Sequence, residues 1–424
     1  MTLKNKLLKK ILGESVLVGI TDYFAFGVIF ITSLLINRNY GTAQLGTYTL
    51  CIAIAQIFIL SFGGSFSIIL RRDIILYADK VSQYLHHVVL IRILITLFAI
   101  FFIIILIIYP SFYSREFFIF LGLIIFAKGI DSVTETFLTL YQTIDRILIY
   151  IIVKTINNVV LIIVLLLIIN FKLSIKYIYW SYILISLSFF LVNLLYTKSI
   201  TNLFVVKTKM KMVYTLIQEA WPLFVNTILF QLNSRGGIVI ISFFLATDSI
   251  GVYTAGTTLI FICTAFISSL SIVFFPYLTR SNKENPENFM KLINKIVLGM
   301  LFLGIIIYLL FVLFLPYIIK IYGHFPVDPT SLYYILAISI IPMVSTGILG
   351  YMFTILHAQK QGMFAAGIIL VINFILFYLL TYAFNLKGTA IAFTVSQIVS
   401  SIIFYVWIFI IIKDRSNHLK VNNV

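Results

Sequence analysis

The feature that most constrains this chain is its succession of long apolar runs, separated only by short polar breaks, from about residue 13 to about residue 412. They lie at 13–36, 44–70, 85–109, 117–142, 147–169 and 177–199, then at 220–245, 250–279, 291–315, 331–356, 362–384 and 388–412. Each has roughly 20 or more residues, enough at about 1.5 Å per residue to cross a hydrocarbon core of about 30 Å. Inside such a core only helices and closed barrels satisfy their own backbone polar groups, and continuous apolar runs of this length suit helices. The expected fold class is all-α integral membrane, with about twelve transmembrane helices. A composition of 62% hydrophobic and 10% charged residues excludes a water-soluble globular domain.

Charge then orients the spans. The first apolar run follows Lys4, Lys6, Lys9 and Lys10 and lacks a small-residue cleavage site, so it reads as an uncleaved helix rather than a signal peptide. With the N-terminus in the cytoplasm, most of the 30 Lys and Arg fall on cytoplasmic segments and helix ends, Arg92 among them. The opposite side holds Arg38, Arg115, Lys172, Lys176, Lys320 and Lys387, while Lys128, Lys154 and Arg235 lie within spans. This bias predicts both termini in the cytoplasm and an even number of crossings. It also accounts for the net charge of +16 as a topology signal, and no nucleic-acid partner is expected.

Little in the chain points to chemistry on bonds. Cys51 and Cys263 are the two cysteines and both sit in apolar runs, which suits packing rather than a disulfide or a metal site. His86 and His87 lie at a helix end, and no His, Asp or Glu cluster has metal-ligand spacing. Neither a phosphate-cradling glycine loop nor a nucleophile motif is present, so no catalytic residue, metal or cofactor is expected.

The chain echoes itself. A shift of 205 lays Ile36, Thr42, Gly46, Tyr48 and Thr49 on Ile241, Thr247, Gly251, Tyr253 and Thr254. A shift of 215 lays Asn158 on Asn373 and Lys172 on Lys387. The boundary falls in the basic connector at 198–213, with Lys207, Lys209 and Lys211. The expected domains are therefore 1–205 and 206–424, two pseudo-symmetric six-helix bundles. Such repeats build transporters whose pathway lies between the bundles and opens alternately to each side.

Polar residues inside the spans carry the functional reading. On one helical stripe of the fourth span stand Lys128, Asp131, Glu135, Thr139 and Gln142. An ionised side chain at the bilayer centre costs at least about 2.5 kcal/mol, so the stripe faces protein or water. Either these charges neutralise one another in a packed bundle, or they mark a substrate or ion path.

The stretch Glu219–Phe224, then Asn233, Ser234 and Arg235, then Ser249–Thr254, resembles the seventh-helix region of polysaccharide (O-antigen) flippases. Those proteins belong to the superfamily that also holds the MATE drug exporters and lipid II flippases. The segments 41–48 (GTAQLGTY), 141–146 (YQTIDR) and 385–393 (NLKGTAIAF) add to the likeness, which covers essentially the whole chain. It implies a MATE-like, V-shaped transporter that moves an undecaprenyl-diphosphate-linked oligosaccharide, for O-antigen or a related surface glycan, across a bacterial cytoplasmic (inner) membrane. Membrane lipids, glycan polymerase machinery and a coupling proton or sodium ion are the partners it implies. Two departures stand out. Many relatives carry Asn-Arg-x-Asp in the seventh helix, whereas this chain has Ser234, Arg235, Gly236 and Gly237. A proline common before the last helix is absent near Asn385.

For such a substrate the expected binding residues are Lys128, Arg235 and Gln231, the last one turn before Arg235. A guanidinium fork fits phosphate oxygens, and Lys128 supplies a point charge from the other half. Asp22, Asp131 and Glu135 are the expected ion-coupling residues, because a carboxyl group held away from water can load and release a proton. Pro222 is expected in the first turn of its helix, where proline is tolerated. A MATE-type small-molecule or ion antiporter is the first alternative, and a membrane-embedded glycan polymerase the second.

Overall fold

The polar breaks become helix ends in a computed structural model that describes residues 3–109, 113–144, 146–201, 207–284, 286–323 and 325–421. Among the described residues the regular structure is all helical. The packing divides them into two compact units, Thr47–Val239 and Met1–Gly46 with Ile240–Val424. The repeat places its boundary near residue 205, so the packing and the repeat divide the chain at different points.

In the Thr47–Val239 unit the second span is α2 (Thr42–Ala55) continued by α3 (Ser61–Leu76), with a single π-helical stretch, Gln56–Leu60, between them. Such a stretch inserts a residue into the helix and re-aims the side chains that follow. Next come α4 (Val81–Ile108), α5 (Arg115–Thr143), α6 (Ile147–Asn170), α7 (Lys176–Ile200) and α8 (Met210–Ile241). The start of α5 is fixed by Ser114, whose Oγ accepts the Phe117 N–H at 3.2 Å, and Glu116 in the first turn suits the helix dipole. This helix is the centre of the unit, packed by α3, α4, α6 and α7. Within its most apolar stretch 61% of residues are buried inside the fold, against 11% for α6. Gly122 and Gly129, two turns apart, let α4 approach: a Cβ on Gly129 would lie 2.7 Å from Thr96 Oγ1.

In the other unit α1 (Leu3–Tyr40) packs on α9 (Thr247–Glu284) and α10 (Pro286–Tyr322), with α11 (Thr330–Ile338), α12 (Ile340–Ile355) and α13 (Gln359–Val421) completing it. Ser33 Oγ bonds Tyr322 OH at 3.0 Å, and Asn37 Nδ2 donates to the Tyr322 carbonyl at 3.1 Å. Beyond Gly41, with φ 88°, the start of α2 meets the start of α9 twice over. A Cβ on Gly46 would overlap the Thr247 carbonyl oxygen, and one on Gly251 would overlap the Thr42 carbonyl oxygen. These are the residues that the shift of 205 equates.

Ten segments among the described residues are long and apolar enough to cross a membrane. One of them, Gln359–Asp414, is broken at Asn385 (φ 51°, ψ −133°) and so holds two arms. With α9, 38 residues long, the described helices cover the spans read from the sequence. The missing proline thus costs no kink: Asn385, a residue type that tolerates positive φ, makes the break itself. One expectation needs correction. Pro222 lies well inside α8, because that helix starts at Met210, not near residue 220. The polar segment before the apolar run is already helical. Asp145 and residues 202–206 of the connector lie outside the described residues.

Candidate substrate and ion site

The stripe on α5 forms as its spacing requires. Lys128 Nζ donates to Asp131 Oδ2 at 2.9 Å, three residues on, and the two side chains remain 24% and 32% exposed. The pair is therefore neither sealed in the core nor fully solvated. Above the ammonium, 5.7 Å from the ring centroid, stands Tyr182 of α7. Its hydroxyl is hydrogen-bonded to that of Tyr48 on α2. Tyr48 also meets Tyr179 edge-on at 6.3 Å, and Tyr179 stacks on Phe120 at 4.3 Å.

Glu135 is half-buried one turn beyond Asp131. The charge it faces is one that sequence reasoning assigned to a helix end. Arg92 of α4 is 2% exposed, and its guanidinium feels the Glu135 carboxylate. Its terminal nitrogens donate to the Ser132 carbonyl, to the Gly63 carbonyl at 2.5 Å and to Ser67 Oγ at 2.7 Å, tying α3, α4 and α5 together. Its Nε has no hydrogen-bond partner among the described residues. A run of apolar residues around Arg92 was the available signal, since an arginine several residues inside a span cannot reach water easily.

Gln231 and Arg235 are half-buried on α8, in the same compact unit as Lys128, Asp131 and Glu135. The neighbouring Asn233 and Ser234 turn back onto their own helix, bonding the Leu229 and Gln231 carbonyls at 3.0 and 3.1 Å. Through Gly236 and Gly237 the helix continues unbroken to Ile241. Toward its start α8 is held to α3 by the Phe62–Phe224 stack at 4.1 Å and by an ion pair between Arg72 and Glu219. Asp22, exposed on α1, belongs to the other unit. Lys154 lies over the Tyr150 ring at 4.7 Å, a local contact on α6. No group of three metal-ligating side chains occurs among the described residues.

The arrangement offers cations held inside the membrane, one of them partly open beside a carboxylate. Residues 9–282 match the family described as "Polysaccharide biosynthesis protein". The sequence matches no curated protein. The fold is similar to that of the lipid II flippase MurJ in its inward closed conformation, with a TM-score of 0.75, 17% identity and coverage of 92% of this chain and 86% of that one. It is also similar to an inward-facing multidrug resistance MATE family transporter of the MOP superfamily, with a TM-score of 0.77 at 9% identity, over 93% and 96% of the two chains. A MOP superfamily transporter from Pyrococcus furiosus gives a TM-score of 0.67 at 12% identity, over 95% and 96%.

Proposed function

Because this chain belongs to the family of polysaccharide biosynthesis proteins, we propose that it carries an undecaprenyl-diphosphate-linked oligosaccharide, an O-antigen or related surface-glycan unit, across a bacterial cytoplasmic membrane. It is a multi-pass membrane protein with the fold of MOP superfamily transporters. In this reading the six-helix halves 1–205 and 206–424 rock about the pathway, both termini face the cytoplasm, and glycan polymerase machinery receives the product. Lys128, Arg235 and Gln231 hold the diphosphate. Asp22, Asp131 and Glu135 carry the coupling proton or sodium ion.

The observation that carries the reading is the Lys128 ammonium, inside the membrane, partly open, and in the same compact unit as Arg235. An anionic headgroup crossing hydrocarbon must exchange its hydration for such charges, and a guanidinium fork binds phosphate oxygens two at a time. The test is export of lipid-linked glycan to the cell surface, normalised to protein in the membrane. Arg235→Ala is expected to lose most export, and Arg235→Lys to remain impaired because the fork is lost. Full glycan display by the Lys128→Ala, Arg235→Ala double variant at normal abundance would move the diphosphate site elsewhere.

A second reading, a MATE-type small-molecule antiporter, draws support from Asp131 beside Lys128, since a carboxylate suits a cationic substrate. Energised vesicles that accumulate a lipophilic cationic dye, and lose that activity in Asp131→Asn, would favour it over the flippase.

A further inference from the structure

Lys128 has partners on two sides. On its own helix Asp131 takes one N–H, and across the helix interface the face of Tyr182 lies 5.7 Å away, within the range at which a ring quadrupole attracts a cation. Tyr182 is itself fixed. Its hydroxyl is bonded to Tyr48, both residues are 8% exposed, and their rings lie 6.1 Å apart. Behind them Tyr179 is 0% exposed, with a hydroxyl that has no hydrogen-bond partner among the described residues. Three helices, α2, α5 and α7, thus contribute to the setting of a single ammonium group.

An ion pair between neighbours on one helix leaves a long lysine side chain several rotamers, because the carboxylate can follow it. A ring locked from a second helix removes that freedom. We infer that Tyr182 is a positioning residue for Lys128, and that Tyr48 acts through it, the two tyrosines holding the ammonium where an anionic diphosphate meets it. This rests on the assignment of Lys128 to the diphosphate. It adds that the affinity of the site depends on an aromatic face 54 residues along the chain, in a helix with no candidate binding residue of its own.

The test is a double-mutant cycle on the full-length protein in detergent, with a sugar-free polyprenyl diphosphate as probe and thermal unfolding as a second readout. A desolvated cation and ring contribute enough that Tyr182→Leu should weaken probe binding roughly fivefold or more when Lys128 is present. In the Lys128→Ala background the same change should alter binding less than about twofold. Tyr182→Phe, which keeps the ring, should restore most of the affinity. Tyr48→Phe, which removes the same hydrogen bond, should cost no more than Tyr182→Phe does and do nothing further in Tyr182→Phe. Equal losses from Tyr182→Leu in both Lys128 backgrounds would overturn the inference, since Tyr182 would then act independently of the cation. Should Lys128→Ala itself leave probe binding unchanged, the substrate assignment fails, and the unfolding cycle decides the positioning role alone. Non-additive midpoints would uphold it and additive midpoints would end it.

Discussion

At the scale of single residues, Arg92 shows how a membrane protein keeps a charge without a salt bridge on its own helix. Its fork reaches two backbone carbonyls and a serine hydroxyl on two other helices, while the Glu135 carboxylate supplies the opposing charge. Replacing it by Met should lower stability by about 3 kcal/mol, the scale of breaking a buried ionic network, seen as a lower unfolding midpoint in detergent. Arg92→Lys should recover only part, since an ammonium cannot span the same acceptors. Adding Glu135→Gln to Arg92→Met should cost less than the separate losses combined, because the second change removes a charge already left uncompensated. Arg92 was hard to read from sequence because its acceptors include the Gly63 and Ser132 carbonyls, and backbone atoms leave no side-chain signature. The pairing of Lys128 with Asp131 was legible, since a spacing of three on a helix brings the two together. Tyr182 was not, because nothing in the spacing of α7 announces that its ring covers a residue of α5.

Among the elements, α5 and the α11–α12 pair occupy matching places. They form the fourth and tenth spans, each is 61% buried in its most apolar stretch, and each is the hub of its own unit. Close approach sets the limit at such a hub. Gly129→Val should lower abundance by driving a side chain into Thr96, and Thr96→Ala should restore part of it, as membrane-fraction immunoblots would show. The start of α11 depends on acid. Asp328 Oδ1 accepts from the Thr330 N–H at 3.0 Å and from its hydroxyl at 2.6 Å, which lowers the carboxyl pKa below its ordinary 3.8. A lowered folded value means that this support is present above that ordinary value and is lost as pH falls through the folded one. Protection of the Thr330–Tyr333 amides, measured against their intrinsic exchange rate at each pH, should therefore fall in acid, and Asp328→Ala should show the lower protection already at neutral pH. Element existence was readable throughout from apolar length. Boundaries were not: α8 starts in a polar stretch, which moved Pro222 from the first turn into the interior, and the break at Asn385 uses a backbone conformation rather than a proline.

For the whole molecule, the charge bias makes a prediction that reporter fusions test: both termini should lie on the cytoplasmic side, and a C-terminal reporter active outside would contradict the positive-inside reading. Gly46 and Gly251 set how closely the starts of α2 and α9 can cross. Gly46→Leu and Gly251→Leu should each impair export to a similar degree, because each inserts a side chain into a backbone carbonyl of the facing helix. A double variant should do little more harm than either, the crossing having already been forced apart. The two contacts are one contact made twice: Thr42 to Gly46 is the patch that touches Thr247 to Gly251, and the same pattern touches back. In assemblies this is the mark of an isologous interface, in which identical surfaces meet across a twofold axis. Here the reciprocal pattern is met within a single polypeptide, between two stretches of one compact unit, so its two halves can never part by dilution.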